Sequence, residues 1–169
     1  MERPPTSGER RVRLKYKQVD RVSQPANQRR YGILYSQELV KEFQKEIERW
    51  RPDIIIPVPL HPSRKRKRGY NQAQILAEEI GKILEIPVDS KSLIRTRKTS
   101  PQKKLGHQER KKNLKHAFAV KHTFQAVKRV LLVDDIYTTG NTIDAVSNVL
   151  KQKGVENVYF LTISIGQGY

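Results

Sequence analysis

The segment at residues 130–142, with the sequence VLLVDDIYTTGNT, constrains the fold of this chain more strongly than any other part of it. Its first four residues are valine and leucine, which is typical of a strand buried inside a parallel sheet. Asp134 and Asp135 follow directly, at the end of the strand where ligands bind in open α/β sheets. The segment therefore predicts a strand, a turn and a helix, with two carboxylates at the ligand-binding edge.

The turn after the carboxylates is suited to holding a phosphate group. Its hydroxyl groups come from Thr138, Thr139 and Thr142. Gly140 permits a tight turn, and Asn141 stands at the start of the predicted helix. Backbone N–H groups and the positive end of a helix dipole favour an anion there. Carboxylates would repel a bare phosphate, so we expect a ligand that also carries hydroxyls or a cation, as a ribose 5-phosphate does. The alternative is an ordinary helix cap and turn.

The rest of the apolar pattern predicts alternating helices and strands. Apolar residues recur on one side over residues 33–50 and again after Asn71, which predicts two amphipathic helices. Short apolar runs predict strands at residues 54–58, 92–95, 117–120, 129–133 and 157–165. Polar stretches predict loops at residues 59–70 and 96–105, and a short helix is expected at 106–114. This order predicts an α/β fold with a mainly parallel sheet.

Composition limits the class of protein. The 169 residues suit one domain, and no apolar run approaches the roughly 20 residues of a membrane helix. There is no cysteine, so no disulfide, thiolate zinc site or cysteine nucleophile is expected. The N-terminus lacks the apolar region of a signal peptide, which makes the cytoplasm the expected location. We expect a basic, partly irregular arm over residues 1–31 and one domain over residues 32–169.

The net charge of +17 is concentrated in two connecting segments and the N-terminal arm. Residues 91–129 hold 13 basic residues and one acidic residue, and residues 61–70 hold five basic residues and no acidic one. Such clusters attract polyanions, which include pyrophosphate compounds, nucleic acid and acidic membrane surfaces. A solvated surface is the alternative interpretation for any single lysine.

The segment at residues 130–142 resembles the motif that binds phosphoribosyl pyrophosphate (PRPP) in type I phosphoribosyltransferases. From Tyr31 to the C-terminus, the chain also resembles the competence-associated ComF family. The residues that carry this second resemblance are Pro57-Val58-Pro59, Arg68-Gly69-x-Asn71-Gln72, Gln102, Arg110 and Asn113. It implies a type I phosphoribosyltransferase fold, an open parallel sheet flanked by helices with a small basic hood. Family members often begin with a zinc-binding, cysteine-rich element, and this sequence has none, so no zinc is expected.

The resemblance also implies how the site is divided. The turn at residues 138–142 would bind the 5-phosphate of PRPP. Asp134 and Asp135 would hold the ribose hydroxyls, directly or through water on Mg²⁺, with no direct protein ligand to the metal. The loop after the first strand would bind pyrophosphate through Leu60, His61, Arg64 and Arg68. A second loop would close over the reaction centre and supply the catalytic cations Arg95 and Lys98.

Three functions stay open at the level of sequence. The first is transfer of phosphoribose from PRPP to a nitrogenous acceptor, with release of pyrophosphate. The second, implied by the ComF resemblance and supported by the charge, is binding of single-stranded DNA, with Arg66, Lys67, Lys103 and Lys104 as candidate contacts. The third is a PRPP-responsive regulator without turnover. Type I relatives often pair, so the resemblance also implies a homodimer.

Overall fold

The computed structural model describes residues 25–96, 117–137 and 140–165 of the chain. Its helices are α1 (Pro25–Glu42), α2 (Gln44–Trp50), α3 (Pro62–Arg68), α4 (Gln72–Leu84) and α5 (Asn141–Lys151). Its strands are β1 (Ile54–Pro57), β2 (Leu93–Arg95), β3 (Phe118–Val120), β4 (Arg129–Tyr137) and β5 (Asn157–Ile165). All five predicted strands are present.

Within the described residues, the main sheet contains three parallel strands in the order β1-β4-β5. Strand β4 lies in the centre, where Leu131 aligns with Ile55 on one side and with Tyr159 on the other. Strands β2 and β3 pair with each other in a separate antiparallel sheet. The predicted α/β fold with a mainly parallel sheet is therefore confirmed.

Helices cover both faces of the main sheet, which explains why the first half of β4 is entirely apolar. Side chains alternate between the two faces along a strand. Val130 and Leu132 therefore pack toward α5 and β3, in a cluster that includes Val146 and Phe160. Leu131 and Val133 pack toward the helices on the other face, in a cluster with these buried side chains: Leu39, Phe43, Ile47, Trp50, Leu76 and Ile80.

The end of the sheet away from the acidic pair is held by an ion pair between Asp53 and Arg129. The backbone N–H of Arg129 donates to Asp53 Oδ2 at 2.8 Å, and its Nη2 donates to Oδ1 at 2.7 Å. The Asp53 N–H donates in turn to the Arg129 carbonyl at 2.9 Å. The hydrogen bond from the Arg129 side chain lowers the pKa of Asp53 below its ordinary value. These contacts align the starts of β1 and β4.

Two helix predictions need correction. Helix α1 begins at Pro25, ahead of the predicted start at Ile33, and the predicted helix divides at Phe43 into α1 and α2. The predicted loop at residues 59–70 contains α3. This helix has a proline in its first turn and His61 as its N-cap, and both favour helix initiation without any apolar periodicity.

One strand prediction also changes. Strand β4 does not stop before the acidic pair but continues to Tyr137, since β5 pairs along it past Asp134. The predicted helix at residues 106–114 lies outside the described residues, and so do most of the predicted loop at 96–105 and residues 1–24 of the predicted arm. The division between arm and domain stays a prediction.

No helix in the described part of the chain has both the length and the apolar character needed to cross a membrane.

Candidate functional site

The site begins with the acidic pair on β4. Both Asp134 and Asp135 are partly buried, and the Asp135 N–H donates to Asp134 Oδ1 at 2.9 Å. The pKa of Asp134 is raised well above its ordinary value, first by burial and then by the neighbouring charge of Asp135. Two carboxyl groups in this arrangement are stabilised as anions by hydroxyl donors or by a cation. The pair therefore suits a polyhydroxylated ligand or a hydrated metal ion.

Arg95 brings a positive charge to the same place. It ends β2, and its guanidinium carbon lies 5.2 Å from the centre of the Phe118 ring. Burial lowers the pKa of Arg95, the charge of Arg64 lowers it further, and the charge of Asp134 raises it. The structure thus places three predicted site residues, Arg95, Arg64 and Asp134, within electrostatic reach of one another. Lys98, the other predicted catalytic cation, lies outside the described residues.

The predicted pyrophosphate loop leaves β1 in a fixed position. The Val58 N–H donates to the Val133 carbonyl at 2.8 Å, and Asn71 Nδ2 donates to the Val58 carbonyl at 3.0 Å. Leu60 and His61 follow, both partly buried. The loop is therefore anchored both to the central strand and to the start of α4.

His61 caps α3 in a way that fixes its tautomer. Its Nδ1 accepts from the Ser63 N–H at 3.2 Å and lies 2.8 Å from the Ser63 hydroxyl oxygen. When the ring is neutral, an accepting Nδ1 leaves the proton on Nε2. Nε2 of His61 can therefore act as a hydrogen-bond donor, while Nδ1 stabilises the start of α3.

Helix α3 presents a continuous basic surface. The side chains of residues 64–68 are all exposed, and these include the predicted contacts Arg64, Arg66, Lys67 and Arg68. Arg68 Nη1 lies 3.6 Å from Asp135 Oδ2, and the Arg68 guanidinium lies 5.3 Å from the centre of the Tyr70 ring. The structure thereby joins a predicted pyrophosphate residue to a predicted ribose residue.

The predicted phosphate turn leads into α5. Gly140 caps the helix with φ of 76°, a left-handed conformation that glycine adopts without strain, and its carbonyl accepts from the Asp144 N–H at 2.9 Å. Asn141 is buried, and its Nδ2 has no hydrogen-bond partner among the described residues. Thr142 is partly buried, whereas Thr138 and Thr139 lie outside the described residues. The described half of the turn offers donors at a helix N-terminus, as a phosphate site requires.

A cavity of about 300 Å³ lies beside the pyrophosphate loop. Its wall contains Pro59 and Leu60 from the loop, Arg95 from β2, and three lysines that sequence reasoning did not single out: Lys65, Lys91 and Lys121. Such a lining suits a small, highly charged anion. A larger cavity of about 750 Å³ lies between α5 and β3 and contains none of the predicted site residues.

Sequence reasoning missed two of the three lysines because their meeting depends on pairing between distant segments. Lys91 precedes β2 and Lys121 follows β3, and the Lys121 N–H donates to the Ser92 carbonyl at 2.9 Å. Adjacent ends of an antiparallel pair always lie side by side. A correct prediction that β2 pairs with β3 would therefore have placed the two lysines next to each other.

Comparison with known proteins gives one family match and several relatives. The family model described as a phosphoribosyl transferase domain matches residues 38–164. Competence protein F of Haemophilus influenzae is 41% identical over 109 residues, which are 63% of this chain and 48% of the relative. Competence protein ComFC of Streptococcus pneumoniae is 30% identical over 68% of this chain and 49% of its own length. The predicted resemblance to competence-associated proteins is confirmed, and the chain spans about half the length of these curated relatives.

A DNA utilization protein of Escherichia coli strain K12, YhgH, is 36% identical over 63% of this chain and 47% of its own length. Among solved structures, a purine phosphoribosyltransferase from Pyrococcus horikoshii is similar with a TM-score of 0.49 and 18% identity. That comparison covers 78% of this chain and 73% of the other.

Proposed function

Because the chain belongs to the family of proteins with a phosphoribosyl transferase domain, we propose that it binds PRPP and transfers the phosphoribosyl group to a nitrogenous acceptor. The acidic pair carries this proposal. Asp134 and Asp135 lie on the central strand, shortly before a glycine-capped helix. A ribose 5-phosphate needs carboxylates for its hydroxyls and a helix N-terminus for its phosphate, and both lie here on one continuous segment.

Each part of PRPP has a proposed set of contacts. The 5-phosphate binds at the start of α5, through backbone N–H groups and the side chains of the turn, with Thr138 and Thr139 included. The ribose hydroxyls donate to Asp134 and Asp135. The pyrophosphate binds along the loop through the Leu60 and His61 region, with Arg64 and Arg68 on the helix that follows.

The proposed reaction breaks the bond between ribose C1 and a pyrophosphate oxygen. The bonding electrons leave with pyrophosphate, the acceptor nitrogen forms the new bond to C1, and the acceptor proton passes to solvent. Arg95, Arg64 and Lys98 supply positive charge to the departing pyrophosphate, which is stabilisation of charge that develops in the transition state. Arg95 is partly buried, so its charge is less screened by water than that of an exposed arginine.

The residues present also fit Mg²⁺. Burial and then the neighbouring charge of Asp135 raise the pKa of Asp134, and a cation beside the two carboxyl groups would relieve the repulsion between them. Because Mg²⁺ retains several waters, the two side chains would hold it mainly through those waters. When bound, Mg²⁺ would neutralise charge on the pyrophosphate group.

Calorimetric titration with PRPP and Mg²⁺ tests this assignment. Asp134→Asn and Asp135→Asn should each weaken PRPP binding by about tenfold or more, the scale of a lost hydrogen bond to a charged group. Asp53→Asn is the matched control, because it also removes one carboxylate but lies at the opposite end of the sheet, and it should bind as the wild type does. Equal PRPP affinity in all four proteins would overturn the site. Pyrophosphate release with nitrogenous bases then tests turnover.

We propose single-stranded DNA binding as a second candidate function, on the basis of the exposed surface of α3. The five consecutive basic residues 64–68 all have side chains that are not buried, and the Tyr70 ring lies beside Arg68. Cationic tracks with aromatic side chains bind single strands through phosphate contacts and base stacking. Lys103 and Lys104 remain predicted contacts, and the homodimer and the cytoplasmic location remain predictions of the sequence.

The salt dependence of single-strand binding tests the second candidate. Each phosphate contact adds about 0.7 to the steepness of the log–log plot of affinity against salt. Arg66→Gln combined with Lys67→Gln should therefore reduce the slope by about 1.4. A wild-type slope near zero, or a slope that the double variant leaves unchanged, would exclude α3 as the contact surface.

A further inference from the structure

Helix α3 is held at its ends and not by packing of its own side chains. None of its residues is buried. The N-terminal end is fixed by the His61 cap, and the C-terminal end passes through Gly69, which has φ of 81°. A Cβ built on Gly69 would meet nothing within 4 Å, so the C-terminal end of α3 borders open space, and the next fixed point along the chain is the buried Asn71. Side-chain contacts that α3 makes with the rest of the site can therefore decide where the helix rests.

The contact between Arg68 and Asp135 links α3 to the acidic pair. Its length of 3.6 Å makes it an ion pair without a direct hydrogen bond. The Arg68 side chain is 48% exposed and that of Asp135 is 23% exposed, so water reaches the pair. Ion pairs of this kind contribute little energy and exchange readily for other partners.

We propose that this pair is a ligand-released latch: Asp135 holds α3 through Arg68 in the free protein, and a ribose phosphate with Mg²⁺ displaces Arg68 from Asp135. The proposal rests on the function proposed above, since it assigns Asp135 to the ribose. It adds that Arg68 and the ligand compete for the Asp135 carboxylate. Helix α3 is held when Arg68 is bound there and is released when the ligand is bound.

Competition follows from charge. Arg68 contacts Asp135 at Oδ2, and a magnesium-bound ribose would bring positive charge to the same carboxylate. Two cations on one partly exposed carboxylate repel each other, so the more tightly held one displaces the weaker. The displaced Arg68 then joins Arg64 as a cation for the pyrophosphate group.

Ribose 5-phosphate and PRPP should have different effects on α3. Ribose 5-phosphate fills the ribose and 5-phosphate positions but has no pyrophosphate, so with Mg²⁺ it should release α3 without holding it again. PRPP carries the pyrophosphate that Arg64 and Arg68 can contact, so it should fix the helix. Opposite responses to the two ligands are specific to the latch.

Hydrogen exchange measured by NMR reports both responses. The amides of Lys65 and Gly69 are suitable probes, since they donate to the carbonyls of His61 and Lys65 at 3.0 and 2.8 Å. In the wild type, ribose 5-phosphate with Mg²⁺ should speed their exchange by about twofold, the scale of one exposed ion pair. PRPP with Mg²⁺ should slow it to the free rate or below. Arg68→Gln should exchange quickly without ligand and show no further increase with ribose 5-phosphate.

The matched control is Lys82→Gln, which breaks another surface ion pair, the one at 2.7 Å to Glu79 on α4. It should keep the wild-type response of the α3 amides. Calorimetry on the same samples separates the two claims. If neither ribose 5-phosphate nor PRPP binds, the proposed function is wrong. If both bind while the Lys65 and Gly69 amides do not respond to ribose 5-phosphate, the latch is wrong and the function stands.

Discussion

Asn71 connects the pyrophosphate loop to the start of α4, and its replacement tests how that loop is positioned. Its Nδ2 donates to the Val58 carbonyl at 3.0 Å, while its Oδ1 accepts from the Ala73 N–H at 3.2 Å. The residue is 8% exposed, so water cannot readily replace either bond. One side chain therefore serves both as the helix N-cap and as the anchor of the loop.

The two bonds can be separated by substitution. Asn71→Ala removes both, which should lower the free energy of unfolding by about 2–3 kcal/mol: roughly 1 for the N-cap and about 1–2 for the buried Val58 carbonyl left without its donor. Asn71→Ser keeps an oxygen that can cap α4 but cannot reach Val58, so it should cost about 1–2 kcal/mol for the buried carbonyl left without its donor. For a chain of this size, the loss in Asn71→Ala corresponds to a fall in Tm of about 4–12 °C.

Urea denaturation followed by circular dichroism measures both variants, with calorimetric binding of PRPP as the second readout. Both variants should bind PRPP more weakly than the wild type, because both release the loop. If the serine variant is as unstable as the alanine variant, the N-cap contributes nothing. If serine is fully neutral in stability and in binding, the bond to Val58 does not position the loop and the reasoning is refuted.

Two further predictions concern the scaffold. The pKa of Asp53 is lower in the folded state than its ordinary value of 3.8, so its contribution to stability is present above about pH 4 and lost as the pH falls through the folded-state pKa. The stability gap between wild type and Asp53→Asn, measured by urea denaturation at several pH values, should therefore narrow in acid; a constant gap would contradict the ion pair. A Cβ on Gly81 would overlap Val88 Cγ2 and lie 2.9 Å from the Ile86 carbonyl oxygen. Gly81→Ala should thus lower the free energy of unfolding by about 1–3 kcal/mol and lower Tm. An unchanged or higher Tm would show that the segment after α4 is not tightly packed against Gly81.

The central strand and its acidic pair could be predicted from the sequence because their signals are local. Residues 130–133 are apolar without alternation, as a strand covered on both faces requires, and the structure buries all four. Gly140 was predicted to allow a tight turn at the start of a helix, and the left-handed φ of 76° that it adopts there is one that glycine tolerates without strain. These features depend on neighbours in the chain.

Helix α3 could not be predicted by periodicity because it has no apolar face. It forms because His61 and Pro62 initiate it and Gly69 ends it. The residues between them are basic and show no helical periodicity, so these end signals are easily overlooked. The ion pair between Arg68 and Asp135 joins residues far apart in sequence, so only the packed fold reveals it.

The most direct measurement for the whole account is a crystal structure of the protein with PRPP and Mg²⁺. The 5-phosphate should lie at the N-terminus of α5, the ribose hydroxyls beside Asp134 and Asp135, and the pyrophosphate along the loop that contains Leu60 and His61. Arg68 should have left Asp135 and turned toward the pyrophosphate. A ligand bound elsewhere, or a ribose out of reach of both carboxylates, would contradict the central claim.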